Sequence, residues 1–385
     1  HELAERQFLI TRHQDFLAEE LAAAEDPTEQ ALLSRLQTRA ERDFEETEIA
    51  AALPPVITGY KAITSTDTPT LQGALPEDTL LLLYALGGRQ SAVLGVTRDA
   101  LHGAVLEDAG EDAVFEAVTA FTRAGQNGDD TAPALEELSR LLLAPMAEHL
   151  STARIVVVPD GPLHYVPFAA LPVSGTALAE RADVTYAASG SHLRHALEQA
   201  PGEATGALAL DHTGTLPDAA WTAWPEAQVL RGDAATEAAW HDAGARALAY
   251  IAAEADLNQS SPALNALLLA GGGDHDGRLN ALELWQGAPA ARTVVLNLQR
   301  RDAYTPRDGR EFEALAEGLI QAGATAHVVN RWNVPQDVRA TFYGALLQAG
   351  AQTPPARAFA EALSATRAAH PGAYAWAAFA YYGAI

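Results

Sequence analysis

Five short apolar runs, Arg154–Val158, Ala207–Leu210, Ala247–Ala252, Thr293–Leu298 and Thr325–Asn330, alternate with stretches of helical spacing over 224–230, 234–242, 310–322 and 336–349. Runs of this length suit strands buried on both faces, and strands that alternate with helices need crossover connections. The alternation predicts an α/β fold, a mostly parallel sheet flanked by helices. A last run, Ala377–Tyr382, is expected as an edge strand that closes the sheet. Upstream, Thr79–Leu86 and Ser91–Arg98 are separated by Gly87-Gly88-Arg89-Gln90, the pattern of a β-hairpin with a Gly-containing loop. Val114–Arg123 and Leu135–Leu150 read as two helices.

The first residues have a different texture. Leu3, Phe8, Leu9, Phe16, Leu17 and Leu21 recur at helical spacing, and Asp26-Pro27 restarts the chain as N-cap and first helical position. Leu32, Leu33, Leu36 and Phe44 continue one apolar side until Pro54-Pro55 ends the second helix. The expected organisation is a helical arm at 1–54, a β-hairpin with helices at 55–150, and an α/β core at 151–385. The arm is read as packing on its own domain, the end of an upstream helical array being the other reading. The chain opens at His1 without a methionine, so an upstream part is expected to have been removed, a cleaved signal peptide being one form of it.

Charge and composition narrow the chemistry. Twenty-five Lys+Arg against 50 Asp+Glu give a formal charge of −25, and Lys61 is the single lysine. Such a chain repels phosphate backbones and anionic lipid, so neither nucleic acid nor membrane is an expected partner. No apolar run approaches the roughly 18 residues of a membrane span; a cytoplasmic location is expected. Cysteine is absent. That removes disulfides, thiolate metal sites and cysteine nucleophiles together. No cofactor and no metal are expected. Of the 12 histidines, only His192 and His195 have a ligand-like spacing, and they lack a third partner nearby. Gly272–Glu283 echoes a calcium loop through Asp274, Asp276, Gly277 and Glu283, but a glycine holds the first ligand position.

In open α/β sheets, chemistry gathers just past the carboxyl ends of the strands. Those positions are Pro159-Asp160-Gly161, Ala253-Glu254-Ala255-Asp256, Gln299-Arg300-Arg301-Asp302 and Arg331-Trp332-Asn333. Each has a plain structural reading beside the functional one, a tight turn for Asp160-Gly161 and loop charges or caps for Glu254 and Asp256.

The segment IVVVPDGPLHYVPFAALP, Ile155–Pro172, resembles the signature of CHAT domains, the bacterial relatives of caspases and separases. The likeness continues in order through about residues 56–385. The hairpin TLLLLYALGGRQSAVLGVTR resembles the strands that open such domains, Gly232–Glu237 their helix start, and Asp276–Ala281 their "D-G-x-L-T-A" turn. Gly323-Ala324 with Val328–Asp337, Phe342-Tyr343, and Trp376–Phe379 resemble their closing markers.

The resemblance implies a caspase-like fold that in active members carries a cysteine endopeptidase. A strand ending in "H-x-A-x-H-G" supplies the base and one ending in "L-S-A-C" supplies the nucleophile; both are needed to form a thiolate and manage its proton. Laid onto this chain, the first motif falls on Tyr250–Ala255 and the second on Leu296–Gln299. Glu254 then stands in place of the histidine and Gln299 in place of the cysteine. A carboxamide is no nucleophile, so no catalytic residue is assigned and a pseudoprotease is expected, one that serves as a protein-binding or scaffolding module. The inferred cleft comprises Asp160, Tyr250, Glu254, Asp256, Asn297, Gln299, Arg300 and Trp332. Glu254, Asp160 and Asp256 would make it acidic and suited to a protein or basic peptide segment, unless Arg300 or Arg301 pairs with Glu254 internally. Two alternatives stay open. One is a hydrolase with a non-cysteine constellation, drawing on Ser189, Ser260 or Ser261 with His275 or His327. The other is an architectural oligomerisation module driven by the arm, the oligomeric state itself being unassigned.

Overall fold

Residues 66–199, 205–257, 265–272, 275–286, 291–301 and 309–384 are described by the computed structural model of the chain. The expected helical arm, 1–54, lies outside the described residues, as do Ser260, Ser261, Asp274 and Asp302.

Among the described residues, thirteen strands form one sheet. β1 (Thr79–Ala85) and β2 (Ser91–Val96) make the expected hairpin, and β3 (Leu101–Leu106) adds antiparallel to β2. On its other side β1 is parallel to β4 (Arg154–Val158). A separate ribbon of β5 (Pro172–Val173) and β6 (Thr176–Ala177) follows in the chain, and β7 (Asp183–Tyr186) then lies parallel to β4. The second block is also parallel: β8 (Ala207–Asp211) pairs with β9 (Gln228–Arg231) and with β10 (Arg246–Asp256). Two short antiparallel strands, β11 (Ala266–Leu268) and β12 (Arg278–Asn280), extend from the end of β10. β13 (Ala291–Arg300) lies on the other side of β10, and β14 (Ala326–Asn330) on β13.

β15 (Phe379–Gly383) joins the blocks, antiparallel to β14 and parallel to β7. The run expected at an edge is therefore interior. Phe379, Ala380, Tyr381 and Tyr382 are all buried, as a strand between two neighbours and two covered faces requires. The two parallel blocks consequently run in opposite directions, so β4 and β10 end at opposite ends of the sheet. A second correction concerns 224–230. Val229 and Leu230 extend along the edge of β8 in β9 rather than forming a helix; an apolar pair this short carries no helical period.

The helices are α1 (Thr68–Ala74), α2 (Glu111–Asn127), α3 (Ala132–Leu142), α4 (Gly190–Glu198), α5 (Glu237–His241), α6 (Ala281–Gln286), α7 (Arg310–Gln321), α8 (Gln336–Gly350), α9 (Pro355–Ala369) and α10 (Ala373–Trp376). Alternate residues of β1 and β4 show why both strands are apolar without interruption. Leu80, Leu82, Ile155 and Val157 enter the large core, while Leu81 and Val156 pack against Leu71 of α1 and Leu193 of α4. Each such side chain contributes about 1.5–3 kcal/mol by leaving water.

Candidate functional site

In parallel strands, residues in register point to the same face. Glu254 pairs in register with Gln299, and Ala252 with Asn297, so these side chains share one face at the carboxyl ends of β10 and β13. The opposite edge of β10 forks there. β8 follows it as far as Ala252, and β11 takes over at Glu254. At the fork an open depression of about 380 Å³ is lined by His212, Thr213, Glu254, Leu268 and Gln299. His212 and Thr213 are held by their backbone N–H groups on Ala252 O (3.0 and 3.3 Å), and His212 Nδ1 lies 3.0 Å from Gly232 O.

Beneath the depression runs a buried polar chain. Asp211 accepts from Thr215 N (2.9 Å) and Thr215 Oγ1 (3.1 Å). Asn297 Nδ2 donates to Thr215 Oγ1 (3.0 Å) and to Tyr250 OH (2.8 Å). Burial pushes the Tyr250 phenol well above its ordinary range. Arg339, from α8, closes the chain. Its Nη1 lies 3.5 Å from Asn297 Oδ1. With the Gln299 amide turned to match its surroundings, Oε1 accepts from Arg339 Nη1 (2.7 Å) and Nη2 (2.9 Å). Arg339 is 8% exposed, and burial lowers its pKa, countered by the hydroxyls of Tyr343 and Tyr250. Gln299 thus serves as a neutral acceptor for a buried cation.

The acids at the rim are paired. Glu254 Oε2 lies 3.0 Å from Arg301 Nε, and Asp256 Oδ2 lies 2.7 Å from Arg278 Nη2, all four side chains being roughly half exposed. Arg301, not Arg300, is the partner of Glu254. Arg300 is buried on the other face of β13, and its backbone is clipped by Asn333, whose Oδ1 accepts from Arg300 N (2.9 Å) and whose Nδ2 donates to Arg300 O (3.0 Å). Asn330 does the same two residues earlier, through Leu298 N and O (2.8 Å each). These amides replace the peptide groups that β14 no longer supplies beyond Leu296.

Of the residues expected in the cleft, Glu254 and Gln299 line it, and Asp256 stands two residues beyond Glu254 at the end of β10. Tyr250 and Asn297 are fully buried below them. Asp160 does not belong to the group: it follows β4, at the opposite end of the sheet, where Oδ2 accepts from Leu86 N (2.7 Å). Trp332 is a core residue, stacked on Tyr374 with Nε1 donating to Tyr374 O (2.8 Å). His212 and Thr213 were missed by sequence reasoning although they stand just past a strand, the same signal that flagged Glu254. Arg339 gave no signal, since it reaches the site from a helix. In the calcium-like stretch, Glu283 Oε2 accepts from Asn280 N (2.9 Å) and Asn280 Oδ1 from Glu283 N (3.0 Å), a capping pair for α6.

One serine–histidine contact occurs away from this cleft. Ser189 Oγ lies 2.8 Å from His192 Nδ1 and accepts from His192 N (3.2 Å), as the N-cap of α4. Burial and the charge of His195 lower the His192 pKa. No carboxylate among the described residues orients this ring, and the pocket it lines has room for about 20 Å³, a single water. Among the described residues no helix is long and apolar enough to cross a membrane.

A family model described as CHAT domain matches residues 132–384. Among solved structures, the Saccharomyces cerevisiae separase–securin complex matches with a TM-score of 0.56 at 8% identity, covering 93% of this chain and 34% of that one. The chain therefore spans about a third of the separase chain, and the likeness is one of fold. A complex of Porphyromonas gingivalis RgpB pro- and mature domains matches at TM-score 0.41 and 10% identity, over 71% of this chain and 76% of that one. None of the curated proteins compared with the chain matches it.

Proposed function

The chain belongs to the CHAT domain family, and from that premise we propose that its caspase-like cleft holds a protein segment without cutting it. The observation that carries this reading is the register pair Glu254–Gln299. These two residues occupy the strand ends where the family pattern has base and nucleophile. The carboxamide that replaces the nucleophile is already engaged by Arg339.

The occupant is a segment with a basic side chain. Glu254 and Asp256 have side chains 47% and 45% exposed, so their pairings with Arg301 and Arg278 are exposed ones that an incoming guanidinium can replace at little cost. The net charge of −25 draws such a segment from a distance. A separase in complex with securin is consistent with a protein as the occupant of this fold.

A displayed peptide library panned on the full chain tests the proposal. Enriched peptides should be rich in Arg, and their affinity should fall about tenfold or more in Glu254→Ala and in Glu254→Gln, the loss expected of one charge-assisted contact. An exposed control, Glu361→Ala on α9, should leave it unchanged. Binding that is equal in wild type and both cleft variants removes the cleft from the account.

A second reading, hydrolysis by Ser189 with His192, rests on their 2.8 Å contact. A serine-directed phosphonate decides between the two. Labelling of Ser189 favours the hydrolase; an unlabelled chain leaves that contact as a helix cap.

A further inference from the structure

Thr236 caps α5, accepting from Ala239 N (3.1 Å), and the helix it starts carries Glu237 and His241 one turn apart on the same side. Ala270, just past β11, is bridged to Thr236, and its N–H donates to Ala235 O (2.9 Å). The turn after β11 is thereby laid against α5. Gly277 makes that turn possible: its φ is +82°, and a Cβ there would come within 2.8 Å of Gly271 N and Leu269 O. His275 projects from this turn onto the helix.

Three side chains meet as a result. Glu237 Oε1 is 2.9 Å from His275 Nδ1 and 3.6 Å from His241 Nε2, and the three atoms lie within 4.8 Å of one another. The imidazoles stack with centroids 5.1 Å apart. Glu237 is 2% exposed, and its other oxygen accepts from Gly277 N (3.0 Å), which fixes the carboxylate while Oε1 faces both rings. A Glu–His hydrogen bond accounts for His275. It does not account for His241, because 3.6 Å exceeds hydrogen-bond distance.

A tetrahedral ion with bonds of about 2.0–2.1 Å sets its ligand atoms about 3.3 Å apart, midway between the two separations seen. Two imidazoles and one carboxylate suit zinc-like ions, whereas calcium and magnesium prefer oxygen alone. We infer that Glu237 Oε1, His241 Nε2 and His275 Nδ1 bind one divalent transition-metal ion of the zinc class, with a fourth position open to solvent. The rings are 23% and 35% exposed, which leaves the ion a way in. The surroundings favour a cation. Glu283 has its carboxyl pKa raised by burial and by the charges of Glu237 and Asp276. The ion would clamp the turn after β11 to α5, beside the strand whose Leu268 lines the cleft.

The test is to strip the full chain of metal and titrate it with Co²⁺ and then Zn²⁺. One equivalent of Co²⁺ should give visible d–d absorption that Zn²⁺ displaces, and Zn²⁺, not Mg²⁺ or Ca²⁺, should raise Tm. His241→Ala and His275→Ala, both at partly exposed positions, should each weaken binding by at least the roughly 10–100-fold known for outer-shell partners. His192→Ala/His195→Ala should not. Absence of Co²⁺ absorption, or binding that survives in both His241→Ala and His275→Ala, overturns the site.

Discussion

At the residue scale, the site turns on what Gln299 does. Its carbonyl accepts from the buried Arg339 guanidinium, which no carboxylate among the described residues neutralises. A thiolate placed there would be favoured over a thiol. The chain has no cysteine, so Gln299→Cys can be read by alkylation alone. The half-maximal alkylation pH should lie about one unit below the roughly 8.5 of a free thiol; a value at or above 8.5 would show that Arg339 does not act on the position. The sequence pointed to Glu254 and Gln299 only through the family resemblance, whose two motifs fall on the ends of apolar runs. It hid Arg339, because a helix has no register with the strand it covers.

At the element scale, β13 outruns β14, and two asparagines make good the missing ladder. Asn330 is 2% exposed and also accepts from Tyr343 OH (2.9 Å), whereas Asn333 is exposed. Leaving buried peptide groups unpaired costs about 1–3 kcal/mol each. Asn330→Ala should therefore destabilise the fold by about 2–4 kcal/mol and Asn333→Ala by about 1 kcal/mol or less, measured by urea unfolding. Equal losses would mean that solvent, not the amide, sets the cost. The strand runs themselves were legible because buried parallel strands are continuously apolar. The direction of β15 was not legible: an apolar run reads the same way up or down. That one reversal sends Asp160 to the far end of the sheet, away from the cleft residues expected beside it.

At the scale of the molecule, His327 gives the fold an acid sensitivity of its own. It is buried on β14 and stacks on Tyr382 with centroids 4.7 Å apart; burial depresses its pKa to about 3. The unfolded chain, with an ordinary value near 6.5, binds this proton first, so stability falls as pH drops below 6.5 and continues to fall towards 3. At pH 5 the loss from this group is about 2 kcal/mol relative to pH 7. His327→Phe keeps the stacked ring and should remove that part of the loss. An unchanged difference between pH 7 and pH 5 in the variant would place the sensitivity elsewhere. Arg331, fully buried, donates to Val166 O (2.8 Å), Tyr186 OH (2.6 Å), Ala377 O (2.8 Å) and Phe379 O (3.3 Å), tying the Ile155–Pro172 segment to the last strand. On the proposed reading, this packing is separate from the strand ends that carry Glu254 and Gln299. The direct measurement of that separation is to incubate the full chain with a proteome-derived peptide library and read new termini by mass spectrometry. No cleavage above the protein-free blank is predicted for wild type. Cleavage that disappears in Ser189→Ala, or in any single-residue variant of this chain, would contradict a cleft that binds without cutting.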